Sequence, residues 1–209
     1  MPEIRIVKTT AELEQIYQFR YKIYVDEMAR KQTYADHRRK TIVEPLDKTG
    51  YIFGAFEDGK VVGTLRVNFA KESDLGYYEE LYNMRSVGES HPNHTSIVTK
   101  LIVADNNRYG RLTIRLCQAA FVLGLENEIK FNFIDCNQYL VRFFKFFGYE
   151  VYTANVIHPE YGEVTPMMCN SLDIDLFKRR RSPFAKSYES FFNQRDSQEK
   201  KSNPNSVTA

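Results

Sequence analysis

The chain has no tryptophan, and its three cysteines, Cys117, Cys136 and Cys169, lack metal-ligand spacing. No run approaches the ~18 apolar residues needed to cross a bilayer. Residues 1–8 hold no apolar segment of the secretory kind. These absences argue against a metal centre, a disulfide framework and integral membrane association, and they point to the reducing cytoplasm. Net charge is equally scarce, +2 over 209 residues. The basic residues fall on loops and element ends without interleaved stacking aromatics, which argues against nucleic acid. Two clusters, Arg38-Arg39-Lys40 and Lys178-Arg179-Arg180-Arg181, fit either an acidic partner or a charged face and helix end in water.

Apolar residues make up 43% of the chain, with fifteen phenylalanines and fourteen tyrosines, so it folds around a core. Its length suits one domain. We assign that domain to residues 1–180 and a polar, disordered tail to 181–209. Glu3–Lys8 alternates as a strand, and Thr9 with Glu12 forms a capping box for a helix with apolar residues three and four apart. Residues 30–50 read as a long loop. Residues 51–57 and 60–69 are strands joined across Asp58-Gly59. A short helix is expected over 74–85, a strand over 96–104, a helix over 112–126 and a strand over 130–134. A helix over 139–147 stopped by Gly148, then strands 150–157 and 163–174, complete the order.

One strand, a helix and a further strand over 96–134 imply a right-handed parallel crossover, and the hairpins imply antiparallel neighbours. The expected architecture is a mixed, mostly antiparallel seven-stranded α/β sheet with helices on both faces. Residues 99–116 (T-K-L-I-V-A-D-N-N-R-Y-G-R-L-T-I-R-L) outline a phosphate-holding strand, turn and helix start with a single glycine.

That order, with L-I-V-A leading into an arginine-bearing helix and N-Q-Y-L-V-R-F-F-K-F-F-G-Y at 137–149, resembles the GNAT (Gcn5-related N-acetyltransferase) fold over roughly residues 3–175. F-R-Y-K-I-Y-V-D-E (19–27), E-P-L-D (44–47) and G-T-L-R-V (63–67) are similar to autoinducer synthases and long-chain N-acyl amino acid synthases. H-P-E-Y-G-E-V-T-P-M (158–167) is similar to the second branch. The resemblance implies a splayed central strand pair and transfer of a medium or long fatty acyl group from a thioester to an amine. It places acyl-CoA or a phosphopantetheine-linked thioester at Val103, Arg108, Tyr109, Gly110, Arg111, Leu112, Thr113, Asn137 and Phe144. Four positions depart from the pattern: Arg111 and Thr113 replace small residues, Phe144 replaces a proton-donating tyrosine, and Ile97 stands where autoinducer synthases carry a glutamate.

Such a transfer needs a neutral amine, donors for the oxyanion and a base. In this fold the donors are backbone groups around Leu101, Ile102 and Val103. Asp135, Glu44 and His158 are the candidate bases; capping, a solvated loop and plain exposure are the competing roles of the three. Arg20, Tyr24, Asp47 and Arg66 form the candidate acceptor site, where either arginine anchors a carboxylate or both serve a structural ion pair with Glu44 and Asp47. Cys136 reads as a packed thiol. Phe131, Phe133, Phe143, Phe144, Phe146 and Phe147 either line an acyl tunnel or pack as core. Because the turn lacks a tight glycine cradle, Arg108, Arg111 and Arg115 suit the phosphopantetheine arm of an acidic acyl-carrier protein. The acceptor is an amino acid or a lysine or ornithine of a peptide. A catalytically inactive acyl-binding module on the same fold is the alternative.

Overall fold

A computed structural model describes residues 1–104 and 110–202, with side chains through 198. The first strand, β1 (Glu3–Ile6), leads into α1 (Thr10–Tyr21). The Thr9–Glu12 capping box is formed: the Glu12 amide donates to Thr9 Oγ1 at 3.2 Å and the Thr9 amide to Glu12 Oε2 at 3.2 Å. A π-helical turn, Lys22–Glu27, continues α1. The expected long loop carries a small hairpin, β2 (Ala35–Asp36) and β3 (Thr41–Ile42), and a 3-10 turn, Pro45–Lys48. Next come β4 (Tyr51–Glu57) and β5 (Lys60–Phe69), joined where Asp58 and Gly59 both take positive φ, as a tight two-residue hairpin requires.

The helix expected over 74–85 is only one turn, α2 (Tyr78–Leu81), followed by 3-10 structure over Met84–Ser90 that breaks at Gly88. Then follow β6 (Thr95–Val103), α3 (Arg111–Glu126), β7 (Phe131–Cys136) and α4 (Val141–Phe147). The strand expected over 150–157 divides into β8 (Glu150–Val151) and β9 (Val156–His158); both pair with β10 (Gly162–Asn170). Helices α5 (Ile174–Arg179) and α6 (Pro183–Ser202) end the described chain.

Seven strands cross the sheet in the order β1-β4-β5-β6-β7-β10-β8, and β9 pairs with β10 alongside this path. Among the described residues of this sheet, only β6 and β7 are parallel neighbours. Helix α3 and the later helices pack on one face around Leu65, Leu116, Phe121, Ile134, Phe147 and Phe184, while α1 and the π-helical turn after it cover the other through Ile16, Phe19 and Ile23. The domain boundary drawn at 181 cuts through this packing. Phe184 is buried against the α3 face, Gln118 of α3 donates to the Pro183 carbonyl at 3.0 Å, and Ser182 Oγ donates to the Phe147 carbonyl at 2.8 Å. The expected tail therefore begins with a docked helix whose few aromatics (Phe184, Tyr188, Phe191, Phe192) face the core amid a polar composition.

Candidate active site

The strand pair β6 and β7 is in register only at Thr95–Ile97 with Phe131–Phe133, and the two strands then part. A second irregularity coincides with the opening. Against β5, the register steps from Thr64↔Ile102 to Arg66↔Thr99, so β6 holds one extra residue, and Lys100 adopts φ +56°. A bulge of this kind turns consecutive side chains to one face. Thr99 and Lys100 accordingly both point to the α1 side: Arg66 Nε donates to Thr99 Oγ1 at 3.1 Å, and Lys100 Nζ pairs with Glu44.

A buried ion cluster lies on that side. Arg20 Nη1 is 2.8 Å from each Asp47 oxygen, and Arg66 reaches Asp47 at 2.9 Å and Glu44 at 2.8 Å. The Glu44 amide donates to Asp47 Oδ2 at 2.7 Å, which ties the acids to the start of the 3-10 turn. Burial pushes the Glu44 carboxyl up, but Lys100 and Arg66 outweigh it and hold the group below the usual range. Burial likewise opposes ionisation of Asp47, and Arg20 with Arg66 reverses the balance. The expected quartet is thus assembled, but as an ion-pair core. Arg20 and Arg66 are 0% exposed, so neither guanidinium has surface for an acceptor to touch.

Lys100, which the sequence pattern did not single out, connects this cluster to the opening. Its Nζ donates to the Tyr161 hydroxyl at 2.9 Å and lies 3.8 Å from Glu160. Glu160 in turn accepts from the Thr33 amide at 2.7 Å, holding the β9–β10 hairpin over the loop after α1. Tyr161 stacks on Tyr24, with centroids 6.1 Å apart, and on His158 at 4.4 Å. His158 is buried rather than exposed. Its Nδ1 accepts from the Glu160 amide at 3.0 Å, which leaves the proton on Nε2, facing Tyr77 and Tyr78. Burial also lowers its pKa, so the ring stays neutral with its lone pair already used. Asp135 differs: Tyr82 donates to its Oδ1 at 2.5 Å, and no cation pairs with it among the described residues.

Between the parted strands runs a cavity of about 240 Å³. Tyr24, Arg30, Lys100, Asp135, Asn137 and Tyr161 line its polar end, and Leu101, Ile102 and Val103 its β6 wall. Its apolar end lies under α3, among Cys117, Phe121, Gly124, Ile129, Cys169 and Phe184. Of the six phenylalanines considered for a tunnel, Phe143 and Phe144 line the cavity; Phe133 and Phe147 are buried in packing away from it, Phe131 is half-buried against the Tyr82–Phe133 cluster, and Phe146 is exposed. Glu44, Asp47, Arg20, Arg66 and His158 stand behind the wall rather than in it.

Gly110 caps α3, Arg111 is exposed on its first turn, and Leu112 is in the core. Thr113 lines the cavity with its Oγ1 buried and without a partner among the described residues. Arg108 and Tyr109 lie outside the described residues. Arg115 donates to the Pro2 carbonyl at 2.9 Å, so the basic face expected of Arg111 and Arg115 is partly spent on tethering the amino terminus. Both basic clusters make internal ion pairs, Arg39 with Glu14, Lys178 with Glu189 and Arg180 with Glu150.

A family model for the N-acyl amino acid synthase FeeM matches residues 15–170. The chain belongs to that family. It is an N-acyltransferase with the GNAT fold. FeeM itself, an N-acyl amino acid synthase from uncultured soil microbes, superposes with a TM-score of 0.68 at 12% identity, covering 89% of this chain and 96% of FeeM. The CoA-dependent acyl-homoserine lactone synthase BjaI, solved with SAM and isopentyl-CoA, gives 0.66 at 17% identity over 88% and 91% of the two chains. Escherichia coli ElaA gives 0.60 at 16% identity over 81% and 100%. Curated protein sequences give no match.

Proposed function

We propose that the enzyme transfers a medium- or long-chain fatty acyl group from a thioester, carried by acyl-carrier protein or coenzyme A, to the amine of an amino acid or of a peptide lysine or ornithine. The observation that carries this reading is the cavity passing between β6 and β7 from a polar end to an apolar one. The thioester carbonyl lies at the divergence, where the backbone of Leu101, Ile102 and Val103 stabilises the oxyanion. The start of α3, with its dipole and the unpartnered Thr113 hydroxyl, holds the phosphopantetheine arm together with Arg108–Leu112, Asn137 and Phe144. The test is the intact mass of products after mixing the protein with acyl-CoA or acyl-carrier protein and a panel of amines. Acetyl donors turned over as well as longer ones would end the long-chain reading. A carrier-borne donor predicts that Arg108→Ala/Arg111→Ala weakens carrier-dependent turnover and its salt sensitivity more than turnover of free acyl-CoA. Equal losses would make the turn an ordinary coenzyme A site.

The acceptor anchor is reassigned. Arg30 lines the polar end, its guanidinium sits 5.2 Å from the Tyr161 ring centre, and no carboxylate pairs with it among the described residues. Arg30→Ala is expected to raise the KM of a free amino acid roughly 10- to 100-fold, the worth of a charged hydrogen-bonded contact. The KM of the same amine lacking a carboxylate should not move. Equal effects on the two would remove Arg30 from the acceptor site.

A further inference from the structure

We infer that helix α6 sets the length of acyl chain the enzyme accepts, with Phe184 as the end stop and Gly124 as the narrow point left open. The inference rests on the acyl-transfer reading above and adds to it what ends the cavity. Phe184 lines the apolar end and stacks almost parallel on Phe121, centroids 4.2 Å apart and planes 9° from each other. Further aromatic rings back the stack: Phe147 at 5.2 Å and Phe177 at 5.9 Å from Phe184. The start of α6 is fixed independently of those rings. Gln118 Nε2 donates both to the Pro183 carbonyl and to Ser187 Oγ, and Ser182 Oγ bridges the Phe147 carbonyl and the Phe184 amide. The stop is therefore anchored by the hydrogen bonds of the Gln118 and Ser182 side chains and does not yield easily to a longer chain.

Gly124 supplies the second observation. It lies inside α3 with ordinary helical geometry, buried, on the cavity wall. A Cβ built there meets only Ile129 Cβ, at 3.8 Å, and Ile129 also lines the cavity. An alanine fits without strain and suits a helix better than glycine. Glycine at a helix interior that tolerates a side chain leaves room, and the room here is the apolar end. Chain-length choice thus resides on α3 and on a helix outside the matched family segment, which ends at residue 170.

The experiment compares kcat/KM over a saturated donor series, C2 to C18, presented both on coenzyme A and on acyl-carrier protein. It is run in the full-length wild type, Gly124→Ala, Gly124→Val, Phe184→Leu and Phe184→Ala, with thermal unfolding recorded for each. Gly124→Val should shift the optimum to shorter chains, with about a fourfold loss for each methylene no longer accommodated. Gly124→Ala should shift it less. Phe184→Ala should extend the optimum to longer chains, and Phe184→Leu should do so partway. Should Phe184→Ala fail to fold, the glycine pair and Phe184→Leu still decide. Wild-type transfer with coincident profiles in the folded variants overturns the ruler alone. Absence of transfer from every donor in wild type overturns the acyl-transfer reading and the ruler together.

Discussion

Replacing Asp47 with asparagine is expected to destabilise the enzyme by about 3–5 kcal/mol, because it removes one partner from a buried ion cluster and leaves the others in place. Asp47 accepts from Arg20, Arg66 and the Glu44 amide, and both guanidiniums are 0% exposed. An asparagine keeps the shape, yet it presents one oxygen and an N–H₂ where two oxygens faced three donors. Arg20 then lacks its counter-charge and Arg66 keeps only Glu44, in a place water does not reach. Urea unfolding should show the loss, and heating should show a midpoint lower by on the order of 10 °C for a chain of this length. A change below about 1 kcal/mol would mean that the cluster is wetter or looser than its contacts indicate. The pH dependence has a definite sign. Asp47 and Glu44 are both held below their ordinary values in the folded state, so the stability they contribute is present above the unfolded carboxylate values near 4 and is lost as pH falls through the depressed ones. The wild type should lose stability on acidification below about pH 4, and Asp47→Asn should lose less over that interval.

The second large effect concerns the chemistry. Asp135→Asn is expected to lower kcat by about 10²- to 10⁴-fold while leaving the donor KM near its wild-type value. Elimination carries the assignment. Glu44 and Asp47 are saturated by cations, and the acceptor nitrogen of His158 is taken by a backbone N–H. Asp135 lines the cavity, carries no cation partner among the described residues, and is oriented by the Tyr82 hydroxyl. An amine with a pKa near 10 must lose a proton before or during attack, and a carboxylate at the mouth accepts it directly or through water. His158→Gln should cost less than Asp135→Asn, since it disturbs the seat of Tyr161 without removing a base. If Asp135→Asn retains more than about a tenth of kcat, the proton goes elsewhere.

Element order and the parallel crossover were legible because they rest on local signals: a capping box at Thr9, a tight turn at Asp58-Gly59, a glycine stop at Gly148. Even the meeting of Arg20, Glu44, Asp47 and Arg66 was readable, with a structural ion pair as one of its two expected forms; their burial out of reach of substrate was not. What stayed hidden has a common cause. Lys100 looks like an outward residue on an alternating strand, and only the extra residue in β6 turns it inward. His158 precedes a proline in a loop, which reads as exposed, yet the β9–β10 hairpin folds it beneath three tyrosines. Helix α6 has too many charges for its sequence to announce burial, and four aromatics hold it to the core. In each case a long-range contact decides, and local pattern carries no record of it.

The cavity has one more property that bears on its chemistry. Three thiols, Cys117, Cys136 and Cys169, line the space in which an activated acyl group is proposed to rest. A thioester beside a thiol invites exchange, which would strand the acyl chain on the protein as a dead-end adduct. The species that attacks is the thiolate, and burial keeps it scarce. Cys117 and Cys136 are pushed up to about 12, and Cys169 is raised as well. At neutral pH only about one in 10⁵ of the first two is ionised at any moment. Dryness therefore serves the enzyme twice over: the apolar walls that hold a fatty chain also keep the surrounding sulfur from capturing it.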